Sequence, residues 1–139
     1  MQQQNRPSWT DIYFSIAEIV SQRSIDPHTK VGAVLVKDGC VIGIGYNGTA
    51  RQSTIEFDWN SQDKYDYVIH AEMNAVSNAS RVGISCKDAD IYVTHSPCHL
   101  CINILIQHGI KRIFFKEKYK DFELSNNIAN SSGVKLICI

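Results

Sequence analysis

The sequence predicts an α/β protein in three layers, a five-stranded mixed sheet with helices on both faces. Three observations carry that expectation. Short β-branched runs alternate with helix-periodic segments in the order α-β-β-α-β-α-β-α-β. The first two strands flank Lys37-Asp38-Gly39, whose Asp-Gly tip marks an antiparallel hairpin. The later strands are separated by helical segments that serve as crossovers, which makes those strands parallel. A length of 139 residues fits one domain built on a single core, spanning 1–139.

Each element has a local reason. Ser8 precedes an apolar-periodic stretch and is the expected N-cap of the first helix. Ile12, Ile16, Ile19 and Val20 fall on one face of it at helical spacing. Asp26-Pro27 marks a loop over residues 23–29. Val31 to Val36 and Cys40 to Tyr46 form the hairpin strands. Residues 47–69 read as a polar, irregular insertion holding Arg51, Glu56, Asp58, Trp59 and Asp63. That is longer than an ordinary connection, and such segments are usually functional or partly disordered. A helix runs from about His70 to Arg81 and stops at Gly83. Ala89 to Thr94 is a strand, Cys98 to Gln107 a helix ended by Gly109, and Lys111 to Phe115 a further strand. Phe122 to Asn130 and Val134 to Ile139 complete the pattern as helix and strand. Beyond the opening glutamines there are no repeats, linkers or low-complexity segments.

Composition narrows the function classes. Apolar residues at 44% and charged residues at 20% are ordinary for a soluble globular protein. Lys plus Arg equals Asp plus Glu at 14 each, which argues against the broad positive face that polynucleotide binding requires. No apolar run approaches the roughly 20 residues of a membrane span. The opening Met1 to Pro7 is polar and has no signal-peptide core. Five cysteines are an odd number, and two of them sit at metal spacing. Cys40, Cys86 and Cys138 lie in or beside apolar segments and read as buried thiols in a reducing compartment. A cytoplasmic protein is expected, acting in the interior of a cell or an infected cell.

The chemistry is concentrated in two short blocks: His70-Ala71-Glu72 and, 25 residues after Glu72, Pro97-Cys98-His99-Leu100-Cys101. They supply one imidazole, two thiolates and a spare carboxylate, the set needed by a catalytic zinc with an open fourth position. Cys98 and Cys101 are three apart at a helix start, so both sulfurs face one side. Pro97 suits the strand-to-helix turn before them. With His70 at the start of another helix, the metal would lie between two helix N-termini, which favour thiolates over thiols. His70 and Glu72 point in different directions on a helix, so one holds the metal while the other faces a pocket. A structural zinc usually takes four protein ligands. No fourth cysteine stands at a paired spacing, although His95 and His99 are near enough in sequence to be considered. His99, inside the Cys-x-x-Cys turn, is expected to point outward, and His95 either lines the pocket or is solvated.

These residues resemble the deoxycytidylate (dCMP) deaminase family of the cytidine deaminase superfamily, whose zinc enzymes are known by H-x-E with P-C-x-x-C. The likeness, to phage members among others, continues through Lys30 to Val36, Gly43 to Gly48, His70 to Ala75, Thr94 to Cys101, Gly109 to Ile113 and Tyr119. It covers most of residues 8–139 and implies the cytidine-deaminase-like fold. It implies further that His70, Cys98 and Cys101 bind one catalytic Zn2+ per subunit and that Glu72 is the proton shuttle. Zinc lowers the pKa of its water to about 7. Glu72 would pass the water proton to N3 of cytosine, C4 would be attacked, ammonia would leave and a uracil ring would remain. The backbone N–H of Ala71 would stabilise developing charge. By the same resemblance Asn47 contacts the deoxyribose 3′-hydroxyl and Tyr119 lies near sugar and phosphate. Read without it, Asn47 is a turn residue beside Gly48 and Tyr119 a half-buried tyrosine after a strand. For the 5′-phosphate the candidates are Arg23, Lys30, Arg51, Lys116 and Lys120, each of which alone reads as a solvated charge.

Many relatives carry a Gly- and Cys-containing loop after Tyr-Asn-Gly, sometimes with a second zinc. Here Thr49 to Trp59 contains no cysteine, so a second zinc is not expected. Arg51 in that loop could meet a β- or γ-phosphate, which adds dCTP as a substrate, with Mg2+ accompanying the triphosphate. The resemblance also implies a homo-oligomer, a hexamer in many members, activated by dCTP and inhibited by dTTP through Gly43, Gly45 and Tyr46. The product dUMP would feed thymidylate synthesis. The rival enzymes are a tRNA adenosine deaminase, a nucleoside cytidine deaminase (usually with cysteine in place of His70) and a riboflavin-pathway deaminase. A zinc-stabilised module without activity is opposed by Glu72, for which a structural site has no use.

Overall fold

The computed structural model describes residues 5–139; Met1 to Gln4, part of the polar opening segment, lie outside the described residues. Ser8 caps the first helix, α1 (Trp9–Ser21), its hydroxyl accepting from Asp11 N at 3.1 Å. The buried stripe of α1 is Tyr13, Phe14 and Ala17 rather than the expected row of Ile12, Ile16, Ile19 and Val20; Ile19 is 64% exposed. The aromatics decide which face turns inward. Tyr13 and Phe14 both pack on Tyr92, with ring centroids 4.9 and 5.5 Å away, and bury more apolar area than the isoleucines could.

Strands β1 (Gly32–Lys37) and β2 (Cys40–Tyr46) form the antiparallel hairpin. Asp38 and Gly39 at its tip both take positive φ, 51° and 74°, as a type I′ turn demands. The insertion at 47–69 is less irregular than its composition suggests. It holds β3 (Gly48–Thr49), α2 (Lys64–Tyr67) and β4 (Val68–Ile69), and β3 pairs with β4 to close the loop on itself. Phe57 packs against Trp59 at 4.7 Å and Tyr67 at 5.3 Å, a small apolar cluster scattered among polar residues.

The rest follows the predicted order: α3 (Ala71–Arg81), β5 (Asp90–His95), α4 (His99–Gln107), β6 (Arg112–Glu117), α5 (Phe122–Ser131) and β7 (Lys135–Cys138). The main sheet has the order β2-β1-β5-β6-β7. β5, β6 and β7 run parallel, as their crossover helices require, and β1 lies antiparallel to both neighbours. Helix α1 covers one face, over Val34, Val36, Tyr92 and Phe114. On the other face α3, α4 and α5 enclose the larger core around Leu35, Ile91, Ile102, Leu105 and Phe115.

Two glycines set how closely α3 lies on β2. A Cβ on Gly45 would collide with the Ala71 carbonyl and the Ala75 amide, and one on Gly43 would meet the Ala75 carbonyl at 2.7 Å. Glycine permits this approach, and through it β2 fixes where α3 begins. Cys86 is buried as expected, but Cys40 and Cys138 are exposed. Cys40 opens β2 directly after the turn and Cys138 ends the edge strand β7, so neither reaches a core face. Among the described residues no helix is long and apolar enough to cross a membrane.

Candidate active site

The N-termini of α3 and α4 meet beside the end of β5. His70 is the N-cap of α3 and Cys98 the N-cap of α4, both extended (ψ 154° and 167°), and neither side chain caps its own helix. Both are turned instead to a common point. His70 Nδ1 lies 3.5 Å from Cys98 Sγ and 3.3 Å from Cys101 Sγ, and the three donor atoms are all within 4.8 Å of one another. Asp121 takes over the capping that Cys98 does not perform. Its Oδ2 accepts from the His99 amide at 3.0 Å and from His99 Nδ1 at 2.9 Å. That contact turns His99 away from the sulfurs. His95 is also outside the group, with Nδ1 2.9 Å from Thr94 Oγ1 and Nε2 3.4 Å from Glu117 Oε2.

The donor set suits zinc. An ion bound tetrahedrally at about 2.3 Å from sulfur and about 2.0 Å from nitrogen separates N from S by roughly 3.5 Å, the spacing the three side chains already have. The hydrogen bond from Cys101 pulls the Cys98 thiol down to about 4, with His70 contributing. The same bond holds the proton on Cys101 and pushes its value up, as does burial. A divalent ion held there would let both sulfurs act as thiolates. His70 is raised chiefly by its hydrogen bond with Cys98, against the effect of burial.

Glu72 lies in the first turn of α3 and is 4% exposed. Burial pushes its carboxyl up, and His70 opposes this. A buried carboxyl with a raised value beside a metal-ligand set is suited to taking up and returning a proton.

His70, Ala71, Glu72 and Cys98 line a cleft of about 360 Å³. Of the other predicted residues, Asn47, His95 and Tyr119 also line it. Asn47 is nearly buried; its Oδ1 accepts from Val31 N at 2.8 Å and its Nδ2 donates to Thr29 O at 2.9 Å, leaving one amide hydrogen. Tyr119 is held by its backbone, donating to Ser96 Oγ at 2.7 Å. Lys30 is exposed and does not line the cleft. Arg51 binds Asn78 Oδ1 at 2.9 Å and lines a second cleft, together with Arg23, Gly45 and Tyr46. Lys116 is paired with Glu18 at 2.9 Å, and Lys120 lies over the Tyr119 ring at 5.6 Å. The sequence reading missed Asp26, His28, Asn60 and Lys64, all of which line the first cleft. Asp26-Pro27 signalled a turn but no site, and nothing in periodicity or spacing marks Asn60 or Lys64 within the insertion.

Residues 7–117 match the family model described as the cytidine and deoxycytidylate deaminase zinc-binding region. The probable deoxycytidylate deaminase of Caenorhabditis elegans is 40% identical over 111 residues, 76% of this chain and 55% of that protein, so the chain spans about half of that relative's length. The deoxycytidylate deaminase of Mycobacterium phage D29 is 34% identical over 128 residues, 82% of this chain and 98% of that one. Among solved structures, the dCMP deaminase of cyanophage S-TIM5 in complex with dCMP and dUMP superimposes with a TM-score of 0.87 at 28% identity, covering 98% of this chain and 100% of the other. The fold is thus the cytidine-deaminase-like one that the motifs implied. With residues 7–117 matching that model and a His-Cys-Cys donor set and a buried glutamate inside the matched region, the chain belongs to the cytidine and deoxycytidylate deaminase family and is a hydrolytic deaminase of that class.

Proposed function

We propose that this chain hydrolyses dCMP to dUMP and ammonia, with Glu72 as its catalytic acid and base. The observation that carries the reading is Glu72 itself: a buried carboxyl with a raised proton affinity, beside a His-Cys-Cys group, at a cleft large enough for a nucleotide. Zinc held by His70, Cys98 and Cys101 would supply the Lewis acid that lowers the pKa of water to about 7. Glu72 takes one proton from the attacking water as its oxygen adds at C4, and delivers that proton to N3. It then takes the second proton of that oxygen to the departing amino group. One water is consumed and one ammonia released. The Ala71 amide, at the N-terminus of α3, donates toward charge developing on the ring. Asn47 has one amide hydrogen left for a sugar hydroxyl, and Tyr119 lines the same cleft. The names of the relatives and the nucleotides bound to the cyanophage protein support dCMP as the substrate.

A second cleft of about 780 Å³ is lined by Arg23, Arg51 and Arg81 beside Gly45 and Tyr46, which suits an anionic effector such as dCTP or dTTP, with Mg2+ on the triphosphate. Arg51 lies there rather than in the first cleft, so its charge supports effector binding more than use of dCTP as a substrate. Asn47 and Trp59 line both clefts and give the two a shared wall. Exposed Leu100, Ile104 and Leu124 on α4 and α5 support a homo-oligomer, read as a hexamer. The enzyme would act in the cytoplasm, its dUMP feeding thymidylate synthesis. The test is loss of cytosine absorbance by zinc-loaded protein with dCMP, dCTP and deoxycytidine in parallel. Turnover of dCMP and not of the nucleoside is expected; no turnover of any of the three by protein that holds zinc would refute the proposal.

A further inference from the structure

A nucleotide whose ring reaches Glu72 must leave its 5′-phosphate against another part of the cleft, and none of Arg23, Lys30, Arg51, Lys116 and Lys120 lines it. Among the described residues, Lys64 is the one lysine or arginine that does. Two polar bridges join the loop before β1 to the insertion across this part of the cleft. Lys64 Nζ lies 3.3 Å from Asp26 Oδ2, and His28 Nε2 lies 2.7 Å from Asn60 Oδ1.

We propose that Lys64 and His28 read the 5′-phosphate of the substrate, with Asp26 and Asn60 as the residues that aim them. The proposal rests on the reading of the chain as a dCMP deaminase and assigns the groups that make it choose nucleotide over nucleoside. The geometry of each pair supports the role. Asp26 is itself anchored, its Oδ1 accepting from the amides of His28 at 2.8 Å and Thr29 at 3.4 Å. Its other oxygen takes one of the three ammonium hydrogens of Lys64, which leaves two for an anion. The side chains of Lys64 and Asp26 are only 17% and 6% exposed, so the pair is partly shielded from water, and the unspent hydrogens act through a lower dielectric than at the surface. Asn60 Oδ1 accepts from His28 Nε2, so Nδ1 is the ring nitrogen left for a ligand, and it donates to a phosphate oxygen when the ring carries both protons. His95, the other imidazole lining the cleft apart from His70, has Nδ1 on Thr94 Oγ1 and the Glu117 carboxylate 3.4 Å from Nε2.

The test compares inhibition by dUMP and by deoxyuridine, ligands that differ only in the phosphate, during dCMP turnover by zinc-loaded protein. The wild type should bind dUMP the more tightly. Lys64→Met should reduce that preference by about ten- to a hundredfold, the loss expected for a charge-assisted hydrogen bond. Lys64→Arg should restore most of it. His28→Gln, a change at an exposed side chain that does not threaten the fold, should reduce it by roughly three- to tenfold. Lys116→Met, which removes an ammonium outside the cleft, should keep the full preference. A merely structural role for Lys64 would weaken both inhibitors alike and leave their ratio unchanged. If wild-type protein turns over dCMP and both Lys64→Met and His28→Gln keep the wild-type ratio, the phosphate assignment is wrong and the deaminase reading stands. If zinc-loaded wild type turns over no dCMP, both fall together.

Discussion

Replacing Gly45 by alanine should damage the metal site without touching any metal ligand. The added methyl would meet the backbone of α3 rather than the movable end of a side chain. It collides with the Ala71 carbonyl and the Ala75 amide and stands 2.8 Å from the Asn74 carbonyl carbon, where ordinary contact begins near 3.4 Å. The start of α3 must therefore retreat by at least about 0.6 Å. His70 immediately precedes that helix, and its Nδ1 is 3.3 Å from Cys101 Sγ, so the imidazole is carried along. A metal site tolerates about 0.2 Å of error in its ligand distances, so the forced shift exceeds what zinc can absorb. Overpacking of this kind costs about 1–3 kcal/mol, or roughly 3–12 °C in Tm for a chain of this size. Zinc affinity should fall about ten- to a hundredfold, the range seen when the supports of a ligand are lost. Thermal unfolding by circular dichroism and competition for zinc with a chelator measure the two effects. Gly48→Ala is the matched comparison, because its methyl meets only the Tyr46 ring, at 3.2 Å, and that ring can give way. Wild-type Tm and zinc affinity in Gly45→Ala would show that α3 does not depend on this contact and would sink the argument.

Three further outcomes follow from the same geometry. Glu72→Gln keeps the volume but removes the titrating group; kcat for dCMP should drop about 10²- to 10⁴-fold while metal analysis still finds one zinc per chain. Asp121→Ala removes the cap of α4, so Tm should fall by the equivalent of about 0.5–2 kcal/mol and zinc should bind less tightly, whereas Asp121→Asn, which can still accept from the His99 amide, should lose less than half as much; equal losses in the two would point to charge instead of capping. Asp26 is pushed up by burial, but hydrogen bonds from the His28 and Thr29 amides and Lys64 outweigh this and hold it below its ordinary value of 3.8. Because the native value is the lower one, its stabilisation is complete above pH 3.8 and is lost as pH falls through the native value. Metal-free wild type should thus show a steeper fall in Tm below about pH 4 than metal-free Asp26→Asn, and parallel curves would contradict this.

Much of this protein is readable in one dimension because its signals are local. The Asp38-Gly39 turn, the Ser8 cap and the glycines that stop α3 and α4 each act within a few residues, so the order of elements follows from the chain itself. The spacing of Cys98 and Cys101 is set by a single helical turn, and His70 with Glu72 marks the second half of the site in the same local way. Where two patterns compete, local signals decide less. The isoleucine row of α1 is as regular as the aromatic one, and only the partner surface of Tyr92 settles which turns inward. Cys40 and Cys138 sit in apolar sequence yet face solvent, because strand ends and sheet edges are defined by neighbours.

The sequence by itself determined which chemical groups stand together in its two short blocks, an imidazole, two thiols and a carboxyl, since these depend on residue type and short spacing. The tertiary structure alone decided what surrounds them. Asp121 is 20 residues beyond Cys101 yet caps the helix that carries it. Lys64 lies in a polar insertion that no periodicity marks, yet it pairs with Asp26 across the cleft. Gly45 lies against the backbone of Ala71, the neighbour of His70, through the packing of a strand on a helix. Contacts of this kind join residues far apart in the chain, and they exist only once the sheet has set which segments are neighbours.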